Sequence, residues 1–293
     1  MSDETPKPAT RGGLTDEALA KLAESNNLEL LPTGKPHVSF SEMRDWQDCS
    51  YRHKLKFVQK LGEDIPGVHL DFGTSVHAAC ENYLKTRQMD RKVFLNMLKQ
   101  LWEDHQAKLP DKFTPESFKQ FGKEGMSILA DVPEWFDKAF PGWEYVDAEH
   151  ALYEPLEGFP HAFKGFIDVV IRAPGPRSKM LTWLLDWKTC SWGWSMEKKN
   201  DPLVRAQLVL YKNFYSKKMN IDPKDIRCGF ILLKRTAKPG SHCELVTTSV
   251  GDVTTGRSLK VINNMVTSVK RGIAIKNRSS CTFCDFYNTP HCT

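Results

Sequence analysis

HAFKGFIDVVIR at 161–172 and MLTWLLDWKT at 180–189, joined by the turn-rich APGPRSK at 173–179, decide how this chain is read. Both runs are rich in branched and aromatic residues and are bounded by Gly and Pro, as two strands of a hairpin would be. Residues i and i+2 of a strand share a face, so Asp186 and Lys188 project side by side. Pairing through the 173–179 turn brings Asp168 beside Asp186. Carboxylates set among FIDVVI and LTWLLDWKT are costly unless something compensates them. Their convergence suits a hard divalent cation such as Mg²⁺ or Mn²⁺. A cation there can polarise a phosphodiester oxygen and activate a water, and the neighbouring Lys ammonium can stabilise the charge that develops. D-x-K alone is commonplace and is usually an exposed ion pair, so the weight falls on its surroundings.

Working outward, EYVDAEHALYEPL at 144–156 alternates like a strand, and the three strands read as an antiparallel meander. Upstream, Ser39 or Ser41 caps a helix through SEMRDWQDCSYRHKLKF. A loop is expected at 62–67, after which Thr74 or Ser75 opens VHAACENYLKTR, with Val76, Ala79, Cys80, Tyr83 and Leu84 at helical spacing. Helices at about 91–108 and 115–140 make a helical insertion over about 85–142. Downstream, Pro202 sits in the first turn of PLVRAQLVLYKNFYSKK. The strands RCGFILLKRT and CELVTTSV and a helix at 253–271 follow. The fold class is mixed α/β (α+β), a central mixed sheet flanked by helices. Residues 1–36, rich in Pro, Thr, Gly and charge, read as a flexible tail with one short helix over Asp16–Ser25. The remainder, 37–293, reads as one domain.

Here 293 residues, 40% hydrophobic, suffice for one sizeable core. Mean hydropathy is −0.46. No apolar run reaches the roughly 20 residues of a membrane span, and MSDETPKPATRGG lacks a secretory apolar segment. A cytoplasmic protein with no membrane partner is expected. The formal charge of +5 permits an anionic partner without requiring one.

The motifs together resemble a known family. Gly165-Phe-Ile-Asp168, Leu185-Asp186-Trp-Lys188-Thr189 and Gln207-Leu-Val-Leu-Tyr211 resemble the core motifs of the PD-(D/E)XK nuclease superfamily, most of all its RecB-like branch. Gly73-Thr-Ser-Val-His77 resembles that branch's upstream G-x-x-x-H motif. The resemblance implies a restriction-endonuclease-like core with a helical N-terminal part. It implies metal ligands at His77, Asp168, Asp186 and the Trp187 backbone carbonyl, with Lys188 as catalytic lysine. Gln207 and Tyr211 share a helix face and would reach the site or the DNA. Glu81 and Glu149 are candidate assisting residues. The function implied is a metal-dependent DNA nuclease, foremost an exonuclease acting on linear or single-stranded ends in recombination, repair or replication. Recombination or replication proteins are candidate partners, and a virus-encoded protein would work in the host cytoplasm. The alternative is an idle DNA-binding or assembly module on the same fold.

Of eight cysteines, Cys80, Cys190, Cys228 and Cys243 read as small core side chains. Cys281-x-x-Cys284, with Cys292 near the C-terminus, has metal-binding spacing. His291 or Cys49 could complete the set. By the resemblance, Cys49, Cys281, Cys284 and Cys292 would hold a [4Fe–4S] cluster, with structural Zn²⁺ as the alternative. Trp192 and Trp194, with Lys198 and Lys199, either contact DNA near the site or pack in the core. Lys54, Lys56, Lys234, Arg235 and Lys238 line a basic channel or are merely solvated.

Overall fold

Ser, Thr and Asp side chains open most of the helices, and the chain between them pairs into one sheet. The computed structural model describes residues 15–62, 66–282 and 284–293. Thr15 caps α1 (Asp16–Ser25), and Ser39 caps α2 (Phe40–Asp48) by accepting from the Glu42 N–H. The expected single helix at 41–57 is broken. Cys49 turns extended, ends α2, and caps α3 (Ser50–His53), which runs into one π-helical turn over Lys54–Val58. Next come α4 (Val68–Thr86), α5 (Arg91–Gln106) and α6 (Pro115–Ala139). α4 starts ahead of Thr74, so Gly73 lies inside the helix. Of the expected 62–67 loop, residues 63–65 lie outside the described residues, as do residues 1–14 of the expected tail. Residues 15–36 carry α1 and a buried Leu31, and Glu29 donates its N–H to the Pro160 carbonyl.

The strands are β1 (His37–Ser39), β2 (Glu144–Pro155), β3 (Ala162–Pro174), β4 (Met180–Cys190), β5 (Ile226–Lys234) and β6 (Cys243–Thr248). Between β4 and β5 lie α7 (Met196–Asn200) and α8 (Pro202–Met219), and α9 (Asp252–Lys270) follows β6. The 2–3–4 meander is present: β2 and β4 each run antiparallel to β3. The sheet is mixed because β1 joins β3 in parallel and β5 joins β4 in parallel across the α8 crossover. β1 is too short for period-2 alternation to reveal it.

One edge of β3 is shared. β1 pairs with residues 162–164 and β4 only from Val169 onward. The Gly165–Asp168 motif lies in the opening between them. Hydrophobic residues cover both sheet faces. α4 and α6 pack Phe72, Val76, Ile128 and Phe136 against Val169, Leu185 and Trp187, and α5 adds Phe94 and Leu98 to the same core. α2, α8 and α9 pack Met43, Leu208, Phe214 and Met265 against Ile167, Val170 and Leu184. Cys80, Cys228 and Cys243 are buried, and desolvation pushes all three thiols up, the latter two to about 12. No described helix is long and apolar enough to cross a membrane.

Candidate functional site

The side-chain phase of β2 and β3 changes at one cross-strand pair. Glu149 lies opposite Asp168, between the register pairs Ala148↔Val169 and His150↔Ile167. Ala148 packs into the core under α4–α6, whereas Leu152 packs into the core under α8–α9. Val169 and Ile167 divide in the same way. Strict alternation would put each couple on one face. Glu149 makes the switch in left-handed backbone, φ 53°, a conformation that costs a non-glycine residue roughly 1–2 kcal/mol.

The switch turns the two carboxylates toward α4. One ligand atom from each of His77, Glu149 and Asp168 falls within 4.8 Å of the others. His77 Nδ1 stands 3.4 Å from Asp168 Oδ2. That oxygen also accepts the Trp187 N–H at 3.0 Å, replacing a ladder bond where β3 and β4 part. Glu149 thus joins the donor group, although the sequence marks it only as a candidate assistant. Its signal was its position opposite Asp168 in the β2–β3 hairpin.

Asp186 stands outside that three-residue group, at the strand position facing Asp168 once the Val169↔Leu185 register is continued by one residue. It is 1% exposed. Its Oδ2 pairs with Lys188 Nζ at 2.6 Å, and its Oδ1 accepts from Gln207 Nε2 at 2.6 Å. Gln207 Nε2 also reaches the Tyr211 hydroxyl at 3.2 Å, so the helical Q-x-x-x-Y pair closes over β4. Burial, and next the Asp168 charge, push the Asp186 carboxyl up to about 6, against the pull of Lys188 and His77. Burial and the Asp186 charge also raise the Tyr211 phenol above its usual range, so it stays a neutral hydroxyl. Glu81 is one turn past His77, but its carboxylate is held by Lys85 at 2.6 Å.

Two glycines are explained by close approach. A Cβ on Gly165 would sit 2.7 Å from Tyr211 Cε1, and one on Gly73 would sit 3.3 Å from Thr189 Oγ1. The first lets α8 press its Tyr211 onto β3. The second lets α4 carry His77 over the end of β4.

Three carboxylates, at positions 149, 168 and 186, thus face one Lys ammonium and one imidazole. A partly buried acidic excess of this kind is stabilised by a cation, and oxygen donors with one imidazole fit a hard or borderline divalent ion. Around this group, Trp194 packs on Phe230, with ring centroids 5.1 Å apart, whereas Trp192 is exposed. Of the candidate channel cations, Lys56, Lys234 and Arg235 are paired with Asp45, Glu244 and Glu124.

At the other end of the chain, Cys49, Cys281, Cys284 and Cys292 line one small recess between α3 and the C-terminal segment. Cys49 Sγ accepts N–H groups from Arg52 and Asn277, each at 3.4 Å. The His291 side chain is exposed. Among the described residues, no three of these sulfur and imidazole ligand atoms lie within 4.8 Å of one another. Tetrahedral zinc at about 2.3 Å from sulfur would draw them to about 3.8 Å.

The model of the PD-(D/E)XK nuclease superfamily matches residues 37–289. Comparison with curated proteins gives no match. Among solved structures, a candidate exonuclease from Eubacterium rectale is 18% identical with a TM-score of 0.53, covering 93% of this chain and 91% of its own. At that identity the likeness shows a shared fold. SSO0001 matches at 12% identity over 81% of this chain and 92% of its own, with a TM-score of 0.32.

Proposed function

The chain belongs to the PD-(D/E)XK nuclease superfamily, and from that premise we propose that it is a divalent-metal-dependent DNA nuclease of the RecB-like kind. The observation that carries this reading is the gathering of His77, Glu149 and Asp168 within 4.8 Å, beside the Asp186–Lys188 pair. His77, Asp168 and Asp186 would hold Mg²⁺ or Mn²⁺ with the Trp187 carbonyl, and Glu149 enters as a further donor. When bound, the ion would polarise a phosphodiester oxygen and lower the pKa of a water.

The chain's own groups do the rest. Lys188 Nζ is held at Asp186 Oδ2 beside the carboxylates, with its side chain about one-third exposed. There it would orient the attacking water and offset charge on the phosphate oxygens. Gln207 fixes the Asp186 carboxylate and is itself steadied by Tyr211. An exonuclease acting on linear or single-stranded ends fits best, since the similar Eubacterium rectale protein is named as a candidate exonuclease. Recombination, repair or replication, with proteins of those processes as partners, is the setting proposed.

We propose that the four cysteines lining one recess hold a structural [4Fe–4S] cluster, with structural zinc as the alternative. Such a cluster would tie α3 to the C-terminus without taking part in hydrolysis, and thiolate ligation agrees with a reducing cytoplasmic setting.

The test is degradation of linear DNA with Mg²⁺ or Mn²⁺, and its loss with EDTA. Asp186→Ala and Lys188→Ala should each lower the rate by at least about 10²-fold. Undiminished cleavage in both variants would remove the assignment.

A further inference from the structure

Beyond β4 the chain runs Ser191-Trp192-Gly193-Trp194-Ser195, and the two indoles have different fates. Trp194 packs on Phe230. Trp192 is 81% exposed, the most exposed large apolar side chain among the described residues. Yet the backbone leading into it is held. The Ser191 carbonyl accepts from Thr236 N at 2.9 Å and from Thr236 Oγ1 at 2.8 Å. The Cys190 carbonyl accepts from Arg235 N at 2.9 Å, and Arg235 Nη2 donates to Ser191 Oγ at 2.8 Å. The Arg235 guanidinium is fixed by Glu124 and lies over the Phe121 ring. Gly193, with φ 120°, makes the turn that separates the indoles. A large apolar ring is therefore presented to solvent on a pinned backbone, which lowers the entropy cost of using it for binding.

Its place is just past the strand that carries Asp186 and Lys188. Trp192 is four residues past Lys188, at most about 13 Å along the strand direction. α4 crosses β4 with Gly73 near Thr189, and Phe72 lies near the same Arg235 that holds Ser191. Leu70, two helical turns before His77 on α4, is 68% exposed. Lys198 is exposed, with its ammonium 4.9 Å from the Trp194 ring centroid. The exposed indole and the nearby ammonium offer what a base and its phosphate need. A nucleic-acid strand stacked on Trp192 would continue toward Lys188, four residues back along the chain. An intact duplex hides its base faces except at an end.

We propose that Trp192 is a stacking platform for an unpaired base, holding a single DNA strand in line with Lys188. This rests on reading the carboxylate cluster as a nuclease site.

The experiment measures binding of a labelled oligothymidylate to the full chain in EDTA, by anisotropy, without cleavage. Trp192→Ala should weaken Kd about 5- to 150-fold, the range for one stacked base, and Trp192→Phe should keep most of the affinity. An oligonucleotide series with one abasic site moved along the strand adds a second readout. One abasic position should weaken binding to the wild type and leave binding to Trp192→Ala unchanged. Equal Kd for wild type and Trp192→Ala, or the same abasic penalties in both, overturns the proposal. The two readings separate cleanly. Trp192-dependent binding with no Mg²⁺- or Mn²⁺-dependent hydrolysis fells the nuclease reading and leaves the platform. Hydrolysis together with a Kd indifferent to Trp192 does the reverse.

Discussion

At the scale of the residue, Asp186 is the group most at odds with its surroundings. Its ionised form is disfavoured by burial and by Asp168, so its carboxyl titrates near 6 instead of 3.8. An acid whose folded pKa is raised favours the fold when protonated. Its penalty is absent below about 4, grows as pH rises toward 6, and is complete above that. A two-unit shift corresponds to about 3 kcal/mol. Asp186→Asn should therefore stabilise the metal-free protein at pH 8 by about 1–3 kcal/mol, with little effect at pH 4. Thermal melts in EDTA at the two pH values check this. No gain at pH 8 would show that the surroundings of Asp186 do not raise its carboxyl. Saturating Mg²⁺ should shrink the difference, because a bound cation stabilises the aspartate and not the amide.

At the scale of the element, the positions of α4 and α8 depend on two missing side chains. Gly165→Ala places a methyl 2.7 Å from the Tyr211 ring, inside any real contact distance, and 3.1 Å from the Phe163 ring. Overpacking of this kind costs about 1–3 kcal/mol. The strain should be relieved in part by Tyr211→Leu, so the double variant should be less destabilised than the two single effects added together. Urea unfolding of the four proteins measures the coupling. Gly73→Ala is a milder case. Its 3.3 Å neighbour is a rotatable Thr189 hydroxyl, and alanine gains up to about 1 kcal/mol over glycine inside a helix. Its stability should stay near wild type.

At the scale of the molecule, the chain closes on itself at Cys49. The break between α2 and α3 presents its thiol to the Asn277 N–H, and the Ser50 hydroxyl accepts the Ile275 N–H at 2.8 Å. A metal cluster there would act as a cross-link over more than two hundred residues, and closing so long a loop stabilises mainly by restricting the unfolded chain. Cys49→Ser should abolish iron binding, read by visible absorption and metal analysis of anaerobically purified protein. It should also cost about 2–4 kcal/mol, in the range of other long-loop cross-links. Full iron content in Cys49→Ser would exclude Cys49 as a ligand.

Much of this was legible in the amino-acid order because it is local. The meander, the crossover helix and most helix boundaries follow from period 2, period 3.6 and capping side chains, all of which act over a few residues. Asp186 and Lys188 on one strand face, and Gln207 and Tyr211 on one helix face, follow from the same periodicities. What only the tertiary structure decided depends on register and on backbone departing from ideal form. β1 is three residues long and exists because β3 offers it an edge. Cys49 interrupts a helix that the surrounding residues would continue, because the C-terminal segment supplies partners for its thiol. Glu149 enters the donor group because β2 and β3 change phase together at the Glu149–Asp168 pair, where Glu149 is left-handed. No local pattern encodes that reversal: its cost falls on one residue, and the packing on both sheet faces that outweighs it comes from distant parts of the chain.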